Sequence, residues 1–188
     1  MRKIFILSLI ISLFNSYTIF SQTKVGDAIL PNTIQFDEQL LILNGAGIRE
    51  KLWFDLYACG LYLPKKSSNP LNIVTFNELM GIKLHILSSL VSKKKLIDAF
   101  RKGIDETNNL SDVSRLSSKI DVFLSLIKSN ISVNNVYDLI YFPNKGLVVF
   151  ENNKELGVVE GLDFKKLVFN IWLAPESVDN DLKRDLIN

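Results

Sequence analysis

The feature that most constrains this chain is a repeated change of apolar period. From Thr33 to about Leu90 the apolar residues come in three strand-like runs: "TIQFDEQLLILNG", "LWFDLYACGLYLP" and "GIKLHILSSL". The first ends at a glycine turn, and the second is stopped by Pro64 after a bend near Gly60. After Ser92 the spacing changes. Leu96, Ala99, Phe100, Gly103 and Ile104 recur every three or four residues, which predicts a helix over 93–107 capped by Ser92. Val113, Leu116, Ile120, Phe123, Leu124 and Ile127 predict a second helix over about 112–128. Strands return in "NVYDLIYFPNKGLVVFENNKELGVVEG". Its turns are Asn144-Lys145-Gly146 and Asn152-Asn153, residue types that tolerate the positive φ of tight hairpins. Asp163 then caps a helix carrying Phe164, Leu167, Val168, Ile171 and Trp172, which Ala174-Pro175 breaks. Ser177 starts a short last helix with Val178, Leu182 and Leu186 on one face. Strand runs and helix runs are segregated, so the expected class is α+β, a large antiparallel sheet with helices packed on one face.

The first segment follows another rule. Arg2 and Lys3 precede the apolar run Ile4–Phe14, and a short polar stretch ends near Ser21. This pattern predicts a signal peptide over 1–21 and an exported protein, periplasmic or secreted. A retained anchor is the plainer alternative, although the run is short for a membrane span. One domain is expected over 25–188. Removing Arg2 and Lys3 takes the 22 basic residues to 20, against 20 acidic ones. A near-neutral domain lacks the basic field that nucleic-acid binding requires. With one cysteine there is no intramolecular disulfide, so stability must come from the core.

Several chemistries are excluded on residue types. The one histidine, His85, lies in an apolar strand and supports no Ser-His-Asp or Cys-His arrangement. One His and one Cys do not make a usual zinc site, though carboxylates alone could hold a hard cation. Gly45-Ala46-Gly47 begins like a dinucleotide fingerprint but lacks the third glycine and leads into a strand. Cys59 reads as a small core residue. Lys93-Lys94-Lys95 reads as a solvated helix face, with an acidic partner or a membrane headgroup as the minority reading. The run sits badly with the positive N-terminal end of the helix dipole.

Arg49 is the residue that needs an account. It stands between the glycine-bracketed turn at 45–47 and a long apolar strand, where an unpaired buried charge is costly. At the floor of an apolar cleft, its planar fork of donors would hold the head of an apolar anion. Tyr57, eight residues on, would share its strand face and add a hydroxyl. Trp53 or Phe54 is bulky enough to fill such a cleft. The alternative is that Arg49 caps the turn or pairs with Asp55 or Glu50 at the surface.

"LNGAGIREKLWFDLYACGLYLP" resembles the hallmark segment of the chalcone isomerase-like family, in particular its bacterial secreted branch. "NKELGVVEGLDFKKLVFNIWLAPESVDNDLKRDLI" resembles the family's closing block, and "VSKKKLIDAFRKGIDETN" its middle helix. The resemblance implies an open-faced β-sandwich with a cleft between a large antiparallel sheet and its helices. It implies no cofactor and no metal. Plant members close a flavanone ring, their arginine holding the attacking phenolate while Thr and Tyr hydroxyls polarise the ketone. Fatty-acid-binding members use the same arginine, with a tyrosine, for a carboxylate. Arg49 matches that arginine, and Tyr57 falls where the plant enzymes carry the threonine. The plant tyrosine aligns with Val91, which has no hydroxyl, so the ketone side lacks a donor. The expected function is therefore a non-catalytic exported protein binding an apolar anion such as a fatty acid. An isomerase of the chalcone isomerase type, an intramolecular lyase with Arg49 as its catalytic residue, is the second reading. An envelope partner protein is the third.

Overall fold

The computed structural model describes residues 21–36 and 38–188. The expected signal peptide, apart from Ser21, lies outside the described residues. Strands β1 (Gln22–Val25) and β2 (Ala28–Pro31) form a hairpin of their own. Strands β3 (Thr33–Phe36), β4 (Gln39–Lys51), β5 (Phe54–Leu63), β6 (Met80–Ile86), β7 (Val136–Phe142), β8 (Gly146–Glu151) and β9 (Lys154–Val159) form one antiparallel sheet. Its strands lie side by side in chain order. The helices are α1 (Pro70–Thr75), α2 (Lys93–Thr107), α3 (Leu110–Arg115), α4 (Ser117–Ser125), α5 (Leu162–Leu173) and α6 (Asn180–Leu186).

Alternation along the strands gives the sheet two apolar faces. Cys59, Leu61, Ile82, Leu84, Leu139 and Val149 pack against the helices, where Phe100, Phe123, Phe164 and Trp172 complete the main core. Phe100 meets Phe123 edge-on at 5.1 Å between ring centres and Trp172 at 6.2 Å. On the other face the β1–β2 hairpin sets Val25, Ala28 and Leu30 over Ala58. The result is the expected α+β fold with helices on one face of a large antiparallel sheet.

The helix over 93–107 forms as expected, with the Ser92 hydroxyl accepting from Lys95 N. The expected helix over 112–128 is two helices, broken at Leu116, which turns into the core. Helix α1 was not expected, yet Asn69-Pro70 is a legible start: Asn69 accepts from Asn72 N and Pro70 fills the first turn. Helix α5 is capped by Gly161 at φ 105°, and Asp163 sits inside its first turn. Helix α6 is capped by Asp179 rather than started by Ser177. Cys59 is buried in the core, and His85 shares a 3.2 Å hydrogen bond with Asn134.

The glycine-bracketed turn is a misreading. Strand β4 runs unbroken in sequence through Gly45-Ala46-Gly47, and the chain reverses at Leu52-Trp53 instead. Those two residues take φ values of 49° and 70°, the geometry of a two-residue hairpin usually given to Asn-Gly. Holding a leucine and a tryptophan there costs on the order of 1 kcal/mol each.

A second cation is enclosed where α5 meets the end of α1 and the Tyr141 ring of β7. Lys165 on α5 is fully buried. Its ammonium donates to the carbonyls of Ile73 at 2.6 Å, Val74 at 2.9 Å and Phe76 at 3.1 Å, the C-terminal end of α1. The Phe169 ring lies 5.0 Å from it. Burial pulls its pKa down to about 7, the neighbouring Lys166 adds to this, and Glu78 opposes it.

Candidate functional site

Strand β4 places Gly45, Gly47 and Arg49 at alternate positions, all on the helix-covered face. The glycines are there for α6. A Cβ at Gly45 would fall on the Asp185 carbonyl oxygen, and one at Gly47 would lie 2.6 Å from Asp185 Oδ2. With no side chains in the way, α6 lies directly across the strand and its cap reaches Arg49. Arg49 Nη1 donates to Asp179 Oδ2 at 2.7 Å and to the Glu50 carbonyl at 3.2 Å. Asp179 Oδ1 meanwhile accepts from Asp181 N at 3.1 Å and Leu182 N at 3.0 Å. One carboxylate thus caps the helix and ties it to the sheet. The surface pairing expected with Asp55 or Glu50 is replaced by this contact across 130 residues of sequence.

Tyr57 is the cross-strand partner of Arg49. The two meet because the Leu52-Trp53 turn folds β5 back on β4, not because they share one strand. The register slips between Arg49 and Glu50, leaving Leu56 as the extra residue beside the pair. Such bulges re-aim neighbouring side chains. Trp172 on α5 donates its Nε1 hydrogen to Tyr57 Oη at 3.2 Å. Burial, with Cys59 beside it, pushes the Tyr57 pKa far up, against the Trp172 bond and Arg49. The hydroxyl therefore keeps its proton and remains a donor.

What is left over matters most. Guanidinium has five N–H donors, and both Arg49 bonds use Nη1. Among the described residues Nε and Nη2 have no hydrogen-bond partner, and the Tyr57 proton has no acceptor. The side chain of Arg49 is 23% exposed, so these donors are neither solvated freely nor sealed. A group with two acceptor oxygens would satisfy them. Asp179 already fills one side of the guanidinium and would repel a second anion pressed against it.

The surroundings are tighter than the sequence suggested. A groove of about 410 Å³ runs between β1, β4 and α6 and is lined by Lys24, Ala46, Ile48, Asp179 and Leu182. Arg49 and Tyr57 are not among its walls. Trp53 and Phe54 do not fill the space over Arg49. They project at the hairpin tip, 98% and 54% exposed. Val91 is buried just before α2 and offers no hydroxyl. Among the described residues no group of His, Cys, Asp and Glu could hold a metal ion. No described helix is long and apolar enough to cross a membrane. Sequence reasoning missed Trp172 and Asp179. Asp179 carried a usable signal, an aspartate three residues before the apolar Leu182, but Ser177 was the competing cap.

Known proteins set this arrangement in context. The profile of the chalcone isomerase-like family matches residues 22–188. The chain belongs to the chalcone isomerase-like family. This chalcone isomerase-like protein is also similar in structure to a fatty-acid binding protein from Arabidopsis thaliana. The TM-score is 0.73 at 18% identity, over 89% of this chain and 96% of that one. At that identity the likeness establishes the fold. No curated protein matches the chain.

Proposed function

We propose that this chalcone isomerase-like protein binds the carboxylate of an apolar anion, a fatty acid in the first instance, and does so without catalysis. The observation that carries this reading is the cross-strand pair Arg49–Tyr57 with donors to spare. A carboxylate takes two guanidinium N–H groups and the tyrosine O–H, and Asp179 sets the threshold it must overcome. The tail needs room that the closed packing of α5 and α6 on the hairpin does not leave. Binding therefore opens that contact, and the Arg49–Asp179 bond is the first to be exchanged. The fatty-acid binding protein of the same fold supports this reading. The Arg2-Lys3 start and the apolar run after it support export to the periplasm or beyond.

The isomerase reading stands second. It needs donors on the ketone side to stabilise an oxyanion, and the aligned position is the aliphatic Val91. A role through a protein partner alone stands third, since it leaves the spare donors of Arg49 unexplained.

The test is native mass spectrometry of protein drawn gently from its own cells, wild type beside Arg49→Ala. A fatty-acid mass on the wild type that is missing from the variant is the expected result. Wild-type protein that emerges empty and takes up no added fatty acid overturns the proposal.

A further inference from the structure

The tip of the β4–β5 hairpin is the most exposed apolar point among the described residues. Trp53 is 98%, Leu52 76% and Phe54 54% exposed. The two turn residues hold left-handed backbone that small polar residues hold more cheaply. Solvent gives no reason to keep leucine and tryptophan there.

The topology adds a second observation. Strand β5 begins beside the end of β6, since Tyr57 pairs with Ile86, and β7 begins beside His85. The loop after β6, the start of α2 and the segment before β7 therefore lie at the same end of the sheet as the tip. They bring exposed Leu90 and Val133 to that end. They also bring Lys93, Lys94, Lys95 and Lys128, with Lys51 on the hairpin itself. Lys93 donates to the Lys128 carbonyl at 2.8 Å, which places the helix start on that segment. The acidic groups at this end include Glu50, Asp55 and Asp98, the last paired with Lys94 at 2.6 Å. The β8–β9 turn beside the start of β7 adds Glu151 with Lys154, and the β1–β2 turn beside Leu87 adds Asp27. The basic charge is concentrated at the start of α2, where Lys93, Lys94 and Lys95 stand with Asp98 on the same helix.

We propose that this end of the molecule docks on an anionic lipid bilayer. Leu52, Trp53 and Phe54 enter the boundary between headgroups and chains, where tryptophan is favoured. The lysines of α2 and its neighbours face the anionic headgroups, each adding attraction that salt screens. A three-residue tip is far smaller than the roughly 800 Å² per partner of a stable protein interface, whereas a bilayer receives a small protruding wedge. The purpose of the docking, though not the docking itself, rests on the proposed carboxylate site. Arg49 lies three residues before the turn and Tyr57 four after it, so a docked hairpin holds that site at the source of its ligand.

Trp53 reports on this directly, because the other tryptophan, Trp172, is buried. Protein is mixed with vesicles of 70% phosphatidylcholine and 30% phosphatidylglycerol, with and without brominated chains, and with no fatty acid added. The expected result is a blue shift of Trp53 emission and quenching by the brominated lipid. Both should fade in high salt and on vesicles of phosphatidylcholine alone. Leu52→Ser with Phe54→Ser should lower partitioning at least tenfold while fatty-acid uptake in solution is unchanged. Lys93→Gln, Lys94→Gln and Lys95→Gln together should lower it about tenfold on the anionic vesicles. Protein that sediments with vesicles while Trp53 stays unquenched overturns the docking, because another segment then holds it there. A blue shift that grows with protein concentration and needs no vesicles makes a second copy the occupant, and overturns it too. Quenched Trp53 with no fatty-acid uptake sinks the carboxylate reading and leaves the docking standing.

Discussion

Arg49 and Lys165 are both cations set into the packed side of one sheet, and they are satisfied in opposite ways. Lys165 has three N–H donors, and all three end on carbonyls at the close of α1. Nothing remains for a ligand, and the residue is a helix cap built from a side chain. Arg49 uses one nitrogen of three and keeps the others without a protein partner among the described residues. A charge with its donors spent holds a structure together. A charge with donors to spare, half-enclosed beside a tyrosine proton, is arranged for something not in the chain.

The largest expected effect tests the structural half of this contrast. Lys165→Met should cost about 3 kcal/mol in urea unfolding, since it strands carbonyls and leaves an imperfect fit. Arg49→Ala should cost no more than about 1 kcal/mol, because its ion pair is partly exposed. Equal losses for the two would erase the distinction. Next in size is Gly45→Ala, expected to cost about 2 kcal/mol by pressing a methyl group into the backbone of α6. If it is neutral, the helix does not rest on the strand as described.

The two cations should also separate by pH. The Lys165 pKa is about 7 in the folded protein against 10.5 for the ordinary side chain. Between those values the unfolded chain binds more protons, so this residue's contribution to stability rises with pH. Wild type should therefore gain on Lys165→Met between pH 7 and pH 9 and run parallel to it below pH 6. A difference that shrinks over that upper range would refute the assignment. The smallest effect sharpens the ligand side. Asp179→Asn keeps a good helix cap and removes the charge beside Arg49. Fatty-acid affinity should rise severalfold with less than about 1 kcal/mol lost in stability, read by titration of a fluorescent fatty acid. Weaker binding would mean that Asp179 holds Arg49 ready rather than competing for it.

The sequence alone carried the class of fold, because period two and period 3.6 are local properties of the chain. Helix α2, the two Asn-rich turns and the core stripe through Ile120 and Phe123 were legible for that reason. Arg49 and Tyr57 were legible as candidates through residue type and resemblance. The glycines at 45 and 47 were not legible in their role: a missing side chain signals a turn and a close packing partner equally well. Only the tertiary structure chose between them, by laying α6 across the strand. It likewise decided that Arg49 faces Asp179, that Trp53 stands in solvent rather than over the arginine, and that Lys93, Lys94 and Lys95 lie at the hairpin end. Each of those depends on which distant segments the sheet brings together. Contacts across 130 residues leave no trace in a local pattern.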